Sequence, residues 1–352
     1  MRAAVLGGGR MGEGVVRYLK QCPEVQGIIV YDPCVEPLLM KIKENEGVEI
    51  TACLEDVLSD SGVRVVFITA VNEAHKELAL KSLAVGKAVM CEKPMANTLH
   101  EAYEMVQAAE NRFLQIGFEL RYSKLYSIVK RWIEKGLLGN TINTNCYYSA
   151  SAFNKGLWCA TNQSGGMFAH KLSRYVDLPR WWIGDEVCEV YSACAPNIIP
   201  YYEVRDNFHT ICRYRNGAVS SLSFVMSHAA TFGGDPTGDV VSQQQGDGHE
   251  LRYIITGTKG AIETDVFART IKRWKFGDTP KCFTSELIEA LTWTGAEEHE
   301  YCHNIYGQTR DVIRRVSQGL PPSISPMDAY ETMRVCIAAE ESARTGVPVF
   351  IG

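Results

Sequence analysis

Short apolar runs alternate with amphipathic segments over the first third of the chain. The apolar runs, which we predict to be β-strands, are residues 2–6, 27–31, 50–53, 63–69, 87–91 and 113–117. The clearest predicted helix spans residues 74–86, between the fourth and fifth runs, and Gly86 ends it. This alternation predicts an α/β fold with a doubly wound parallel sheet. Ligands of such sheets bind at the carboxyl ends of the strands.

The pattern changes after about residue 122. Residues 123–140 predict a helix that leaves the first domain, and Asn216-Gly217 is typical of a tight hairpin turn. Longer strand-like runs follow that helix at 141–152, 187–195, 204–215, 217–227, 251–256 and 260–264. Long neighbouring hairpins predict an open, mainly antiparallel sheet in a second domain.

The first predicted strand runs directly into a glycine motif. Gly7, Gly9 and Gly12 match G-x-G-x-x-G between a strand and a helix. The first glycine permits a tight turn, the second lets the backbone approach a pyrophosphate, and the third lets helix and strand pack closely. With Arg10 and Met11 they form the start of a helix whose amino terminus attracts phosphate. The motif predicts a dinucleotide site, although an ordinary glycine-rich turn would show the same letters.

The second predicted strand ends in an acid. Asp32 follows the glycines at roughly the 20-residue separation expected for a carboxylate that binds the adenosine ribose. That carboxylate would accept from both ribose hydroxyls and repel a 2′-phosphate, and Pro33 and Cys34 offer no positive charge to such a phosphate. We therefore predict NAD rather than NADP. The alternative is an Asp that only caps the next helix.

Two further strand ends carry polar side chains. Asn72 and His75 lie in the loop that enters the 74–86 helix, and they could face a cofactor or simply cap that helix. Glu92 and Lys93 follow the fifth strand, where Pro94 favours an extended conformation that projects the Lys93 amine from the strand end. Taken alone, Lys93 could equally be a solvated surface lysine.

Composition narrows the class of protein. Of the 352 residues, 46% are hydrophobic and 22% are charged, as in ordinary globular proteins. The net charge of −5 argues against nucleic acid or an anionic membrane as a partner. The first strand begins at residue 2, which leaves no room for a signal peptide. Twelve cysteines show neither a C-x-x-C pair nor zinc-like spacing, and we interpret the adjacent Cys302 and His303 as chance. We expect a cytoplasmic protein without a metal site.

Three motifs together resemble a known family. Gly7-x-Gly9-x-x-Gly12, Asn72-x-x-His75 and Glu92-Lys93-Pro94 are similar to the glucose–fructose oxidoreductase, inositol dehydrogenase and MocA (Gfo/Idh/MocA) family. The resemblance continues through 117–122, where many members have an active-site arginine, here Arg121, and through 338–346, which resembles the family's C-terminal helix. Val71 departs from the pattern, since members often have proline there.

The resemblance implies an architecture. Residues 1–122 would form a Rossmann domain, and residues 123–325 would form an α/β domain for substrate binding and oligomerisation. The helix at about 326–346 would pack near the first domain. In this family one face of the second sheet usually packs against another subunit, so we expect a homodimer or homotetramer.

A polar helix follows Gly165-Gly166. We predict that it spans Met167 to Ile183 and is kinked near Pro179. His170, Arg174 and Asp177 are spaced i, i+4 and i+7, so they share one face. That face suits the floor of a substrate site, whereas a solvated face with an Arg174–Asp177 ion pair is the alternative.

The same helix departs from the family pattern. Members have an acid where this chain has His170, and their catalytic histidine is Arg174 here. A guanidinium stays protonated and cannot act as a general base, but it can bind an anionic group. We therefore predict Lys93 and His170 as catalytic residues. The predicted substrate-binding residues are Arg121, Trp158, Arg174 and Asp177. Residues 232–248 are predicted to form a loop that could serve as a lid.

These features predict an NAD-dependent oxidoreductase. Its substrate would be a ring hydroxyl of a sugar, a cyclitol or a sugar derivative, and an anionic group on that substrate would explain Arg174. A redox-neutral lyase or glycosidase, which oxidises the sugar transiently, is an open alternative because the family histidine is missing. An NAD-binding regulatory protein without catalysis is a third.

Overall fold

The computed structural model describes residues 1–35, 47–151, 166–228 and 250–352. Two compact units can be distinguished. The first unit contains residues 1–119 and 305–333, and the second contains residues 120–304 and 334–352. Each unit is therefore built from two separate stretches of chain.

The helices of the described chain are named α1 to α9. They span Arg10–Leu19, Leu54–Leu58, His75–Ala84, Leu99–Ala108, Lys124–Glu134, Ser173–Ile183, Glu298–Tyr301, Ile305–Gln318 and Pro326–Thr345. Shorter 3₁₀ turns occupy Asn72–Ala74, Glu119–Tyr122 and Gly295–Glu297, and a π-helical turn occupies Phe168–Leu172. Across the described ranges, none of these helices has both the length and the apolarity needed to cross a membrane.

The strands are named β1 to β15. They span Arg2–Leu6, Gly27–Tyr31, Val48–Thr51, Val63–Ile68, Ala88–Glu92, Leu114–Gly117, Thr141–Ser151, Val187–Ala193, Asn207–Tyr214, Val219–His228, Glu250–Gly257, Gly260–Asp265, Thr270–Asp278, Phe283–Thr292 and Val349–Phe350. The first six form one sheet and the remaining nine form another.

The sheet of the first unit is parallel throughout. Its order is β3-β2-β1-β4-β5-β6, which is the order of a dinucleotide-binding fold. In the centre of the sheet Val5 pairs with Val30 on one side and Phe67 on the other, and these three side chains are fully buried. The six predicted strands and their doubly wound arrangement are thus confirmed.

A helix from late in the chain completes the first unit. α8 presents Val312 and Ile313, both 0% exposed, to the apolar cluster that also contains Val15 and Leu19 of α1. Residues 305–325, which the sequence placed in the second domain, therefore cluster with the first unit. The reason is the apolar stripe of α8, which needs a partner surface that α1 supplies.

The second unit is organised on a nine-stranded sheet. Its order is β14-β13-β12-β11-β7-β10-β9-β8-β15, and all neighbours are antiparallel except β7 and β10. The predicted Asn216-Gly217 turn joins β9 to β10, with Gly217 at φ +86° and its N–H donating to the Tyr214 carbonyl. Sequence patterns missed β13, β14 and the two-residue β15. β14 lies at one edge of the sheet with most of its positions exposed, and neither β13 nor β14 shows a clear alternation of buried and exposed positions.

One face of this sheet is covered and the other is open. On β9 the inward positions, such as Phe208 and Tyr214, are buried, whereas Ile211 between them is 50% exposed. The buried face packs against α5 and α6, where Trp182 and Tyr126 meet the ring of Tyr253 edge-on. This packing forms the larger of the apolar clusters described here.

Two predicted helices of the second unit differ from expectation. The 123–140 helix ends at Glu134, because Gly136 and Gly139 take positive φ angles of 69° and 67° and turn the chain into β7. The Met167–Ile183 segment is a π-turn followed by α6.

Pro179 lies inside α6 without ending it. Proline cannot donate to the carbonyl four residues earlier, which is that of Tyr175. The hydroxyl of Tyr253 donates to this carbonyl instead, at 3.0 Å. A side chain from the sheet therefore satisfies the acceptor that the proline leaves open, and the helix continues.

Candidate active site

In the glycine turn of the first unit, close packing leaves no room for a side chain at two of the glycines, whereas the third has space around it. A Cβ on Gly12 would lie 2.0 Å from the Gly7 carbonyl oxygen, and a Cβ on Gly7 would lie 2.5 Å from the Ala70 nitrogen. A Cβ on Gly9 would meet no heavy atom of the described residues within 4 Å. Gly9 is the N-cap of α1, and Arg10 and Met11 are exposed beside it. Open space at this position fits the close approach of a pyrophosphate.

Asp32 stands next to this turn. Its two carboxylate oxygens accept from the Gly8 and Cys34 backbone N–H groups, each at 2.9 Å, and the residue remains half-buried at the end of β2. Because a carboxylate oxygen can accept more than one hydrogen bond, the same oxygens can still receive ribose hydroxyls. The residues present therefore fit the adenosine half of NAD.

His75 holds two strand ends together instead of facing a ligand. Its ring is 1% exposed, with Nδ1 2.8 Å from the Pro94 carbonyl oxygen and Nε2 3.1 Å from that of Ala70. Burial lowers the pKa of His75 and outweighs the two carbonyls, and the nearby Lys93 ammonium lowers this pKa further. His75 thus links the Ala70 and Pro94 backbones on either side of the predicted cofactor site, and its direct contact with the cofactor stays a prediction.

Lys93 keeps partial exposure at the end of β5. It precedes a cis peptide bond to Pro94 and follows Glu92, which is 8% exposed. Asn72 is likewise buried, at 5% exposure, where the chain enters α3. Of the predicted cofactor-binding residues, those with exposure at the carboxyl edge of the sheet are Gly9, Arg10, Met11, Asp32 and Lys93, and those that are buried are Gly7, Gly12, Asn72, His75 and Glu92.

The polar helical segment of the second unit is mostly buried. Between residues 166 and 180, His170 and Arg174 keep partial exposure and the others are buried. Their i, i+4 spacing spans the end of the π-turn and the start of α6. The structure therefore brings these two predicted residues to the same open strip of the helix.

Asp177 is not part of that strip. It is 1% exposed, and its oxygens accept from Arg121 Nε at 2.7 Å and Nη2 at 2.6 Å. The Arg121 side chain is only 9% exposed. Asp177 is thus the buried partner of Arg121, which binds its carboxylate bidentately. Its role as a substrate ligand stays a prediction.

Arg174 contacts a histidine from another part of the unit. Its Nη1 lies 3.1 Å from Nδ1 of His303, which is 8% exposed. The Cys302-His303 neighbourhood, interpreted above as chance, thus places a histidine beside the candidate substrate residues. The two residues are 129 positions apart in sequence, so no local spacing could have revealed the pair.

A buried acid fixes the start of the same helix. Glu340 of α9 accepts from the Phe168 N–H at 2.8 Å, and a Cβ on Gly166 would lie 2.6 Å from the same carboxylate. Gly166 has φ +98°, which glycine adopts without strain. Desolvation raises the pKa of Glu340 to about 6 against the lowering effect of the Phe168 and Met167 backbone donors. Sequence reasoning missed this residue because it is one of two adjacent glutamates on a helix.

Some predictions fall on residues that are not described. Trp158, Gly165 and the 232–248 loop lie outside the described ranges. Among the residues that are described, no group of three or more histidine, cysteine or acidic side chains could hold a metal ion.

Comparison with known proteins adds family and function. A family model described as an oxidoreductase family with an NAD-binding Rossmann fold matches residues 1–118, and a GFO/IDH/MocA C-terminal domain model matches residues 126–263. Inositol 2-dehydrogenase of Salmonella paratyphi B is 32% identical over 303 residues, which are 83% of this chain and 79% of that protein. The scyllo-inositol 2-dehydrogenase (NAD(+)) of Bacillus subtilis is 26% identical over 360 residues, covering 99% and 96%. A structure of levoglucosan dehydrogenase with NADH and levoglucosan has a TM-score of 0.80 at 20% identity, covering 100% and 99%.

The glycine turn generates a matched pair of substitutions. Gly9→Ala should leave the free energy of unfolding within about 0.5 kcal/mol of the parent, because its Cβ meets open space. The same methyl group should weaken NAD binding at least about tenfold, because it fills the approach of the pyrophosphate. Gly12→Ala should instead destabilise the protein by about 1–3 kcal/mol through the clash with Gly7. Thermal unfolding with and without NAD measures both; equal NAD affinity in Gly9→Ala and parent would contradict the assignment.

The pKa of Glu340 predicts a pH-dependent stability. Because the folded-state pKa is raised from 4.5 to about 6, the folded protein binds the proton more tightly than the unfolded chain, and stability falls as pH rises through this window. Glu340→Gln removes that dependence, so its unfolding free energy relative to the parent should rise by about 2 kcal/mol between about pH 4 and about pH 7. Glu341→Gln is the control and should show no such rise, because the hydrogen bond from Arg344 lowers the pKa of Glu341 instead of raising it. Urea unfolding across this range checks the slope, and a pH-independent difference would refute it.

Proposed function

Because this chain belongs to the GFO/IDH/MocA oxidoreductase family, we propose that it catalyses the reversible, NAD-dependent oxidation of a ring hydroxyl of a cyclitol or sugar. The single observation that carries the cofactor assignment is the Asp32 carboxylate, which two backbone N–H groups hold beside the open position at Gly9. Bound NAD would supply the hydride acceptor.

The chain itself must handle a proton. When the carbon gives up hydride, the hydroxyl proton must pass to a base, and Arg174 cannot take it. Lys93 of the first unit and His170 of the second are the proposed residues for this work. Both keep partial exposure, whereas their chain neighbours Glu92 and Lys171 are buried.

The proposed substrate carries many oxygens on a ring. The relatives compared above are named for inositols and levoglucosan, which are cyclic polyols of this kind. Arg174 adds a positive charge on the open strip of the helix, so a ring with an anionic substituent is the form that we expect to bind best. Arg121 is proposed to support this site through its bond to Asp177.

A substrate panel tests the reaction. myo-Inositol, scyllo-inositol, levoglucosan and glucuronate are each incubated with NAD or NADP, and NADH absorbance and cleavage products are followed together. We expect NADH to form with at least one ring polyol, and NAD to be preferred over NADP because Asp32 repels a 2′-phosphate. Cleavage without net NADH would identify a redox-neutral enzyme instead. A rise in melting temperature with NAD but no turnover of any compound would identify a binding protein.

Substitution of the two proposed catalytic residues tests their role. Lys93→Met and His170→Leu should each lower kcat by about 10²–10⁴-fold, which is the usual contribution of a positioned acid or base. Lys81→Met is the control, because Lys81 pairs on the surface of α3 with Glu77 and should leave kcat unchanged. NADH fluorescence separates a loss of cofactor binding from a loss of chemistry. Either variant retaining parental kcat would remove that residue from the proposal.

The open face of the second sheet supports an oligomer as part of this function. Tyr191 of β8 and Ile211 of β9 pair in register and are 41% and 50% exposed. Tyr147 of β7 lies on the same face and is 44% exposed. Adjacent apolar side chains on one sheet are typical of a surface that a partner covers. We propose that a second copy of this chain covers it.

Charge placed on this face should separate the copies. Ile211→Glu combined with Tyr191→Lys should reduce the mass measured by light scattering to that of one chain, because both charges would be buried in the interface. Ile198→Glu is the control, since Ile198 is 55% exposed but lies outside the strands. An unchanged mass in the double variant would show that this face is not the interface.

A further inference from the structure

We infer that His303 is a positioning residue, and that its imidazole holds the guanidinium of Arg174 in the orientation that the substrate meets. The inference rests on the proposed function, since it assigns Arg174 to the substrate. His303 lies 129 positions after Arg174 in the sequence and belongs to none of the motifs described above.

The contact defines the protonation state of His303. Arg174 Nη1 lies 3.1 Å from Nδ1 of His303, and a guanidinium has only donors. Nδ1 must therefore accept, which requires the neutral ring with its proton on Nε2. An imidazolium has no acceptor, so the pair exists only while His303 is neutral.

The backbone on both sides of His303 is anchored. Before it, the Tyr301 carbonyl accepts from the Ser123 hydroxyl, and the Tyr301 ring stacks on Trp293 at 4.7 Å. After it, Asn304 Nδ2 donates to the Tyr122 carbonyl at 3.0 Å. Since both neighbours are fixed, the imidazole is presented to Arg174 at little further cost in conformational entropy.

α7, which leads into this segment, is tied down by a buried acid. Glu298 is 2% exposed and accepts from Arg269 at 2.8 Å and from Trp293 Nε1 at 3.1 Å. It also accepts from the Cys302 thiol at 3.3 Å. The hydrogen-bonded cluster around Glu298 thus holds the segment that leads to His303 in place.

The two arginines near this helix have different kinds of partner. Arg121 is neutralised by the Asp177 carboxylate, and that pair carries no net charge. Arg174 Nη1 lies 3.1 Å from the His303 imidazole. A neutral ring orients the guanidinium without adding a negative charge of its own.

Nuclear magnetic resonance tests the contact without any substrate. The full chain is labelled with ¹⁵N-histidine, and the His303 signals are identified by their loss in His303→Asn. We expect an unprotonated Nδ1 and a protonated Nε2, and we expect Arg174→Gln and Arg174→Met to shift the Nδ1 signal. Circular dichroism confirms that these variants fold. An Nδ1-protonated ring, or a signal that does not change in the Arg174 variants, would overturn the inference.

Kinetics test the positioning role. His303→Asn places an acceptor near the position of Nδ1, whereas His303→Leu fills a similar volume without an acceptor. Leu should raise KM about tenfold, the effect of losing a hydrogen bond to a charged group, with kcat within about threefold. Asn should restore KM to near the parental value.

The outcomes separate this inference from the proposed function. A parental KM in the Leu variant, or a KM in the Asn variant as high as that of the Leu variant, would overturn the positioning role while NADH formation continued. If no ring polyol yields NADH, the proposed function fails alone, and the histidine spectra still decide whether the imidazole holds Arg174.

Discussion

The first unit depends on one close approach between backbone segments. α1 begins so near the end of β1 that any side chain at Gly12 would collide with the Gly7 carbonyl. This packing fixes the amino terminus of α1 at the carboxyl edge of the sheet, where Gly9 is open and Asp32 is held by two backbone donors. A strand, a helix terminus and a carboxylate thereby form one preorganised surface for a dinucleotide.

In the second unit, a largely buried helix carries several polar groups. Most of these polar groups hold another side chain or backbone group in place. Asp177 orients Arg121, Glu340 accepts from the start of the π-turn, and Tyr253 fills the place of the hydrogen bond that Pro179 lacks. Breaking a buried ion pair such as Arg121–Asp177 by removing one partner typically costs about 3–5 kcal/mol, because the remaining charge is left without compensation. Between residues 166 and 180, His170 and Arg174 are the residues that keep partial exposure.

The arginine at position 174 changes the chemistry available to a member of this family. The family pattern has a histidine at this position, whereas a guanidinium cannot act as a general base. Arg174 contacts the His303 imidazole, and Arg121 is held by the Asp177 carboxylate. That Arg174 meets the substrate stays part of the proposed function.

The sequence alone was sufficient for the parallel sheet of the first unit, although not for the late helix α8 that packs against α1. The glycine motif, Asp32 and the six strands could be recognised because each depends on residues close together in the chain and on a period that the side chains display. The Glu92-Lys93-Pro94 motif indicated the family, and the comparisons confirmed this family. The sequence also showed that Arg174 departs from the family pattern, because this departure depends only on the identity of one residue.

Only the tertiary structure decided which side chains meet. Nothing in the sequence indicated that Asp177 pairs with Arg121, that His303 reaches Arg174 or that Glu340 reaches Phe168, since each pair is brought together by packing of segments far apart in the chain. Burial decided roles in the same way: the motif residue His75 is enclosed by two carbonyls, while Lys93 keeps partial exposure. Local periodicity determines which faces of a helix or strand are apolar, but the partner of a polar group depends on which other segment covers that face.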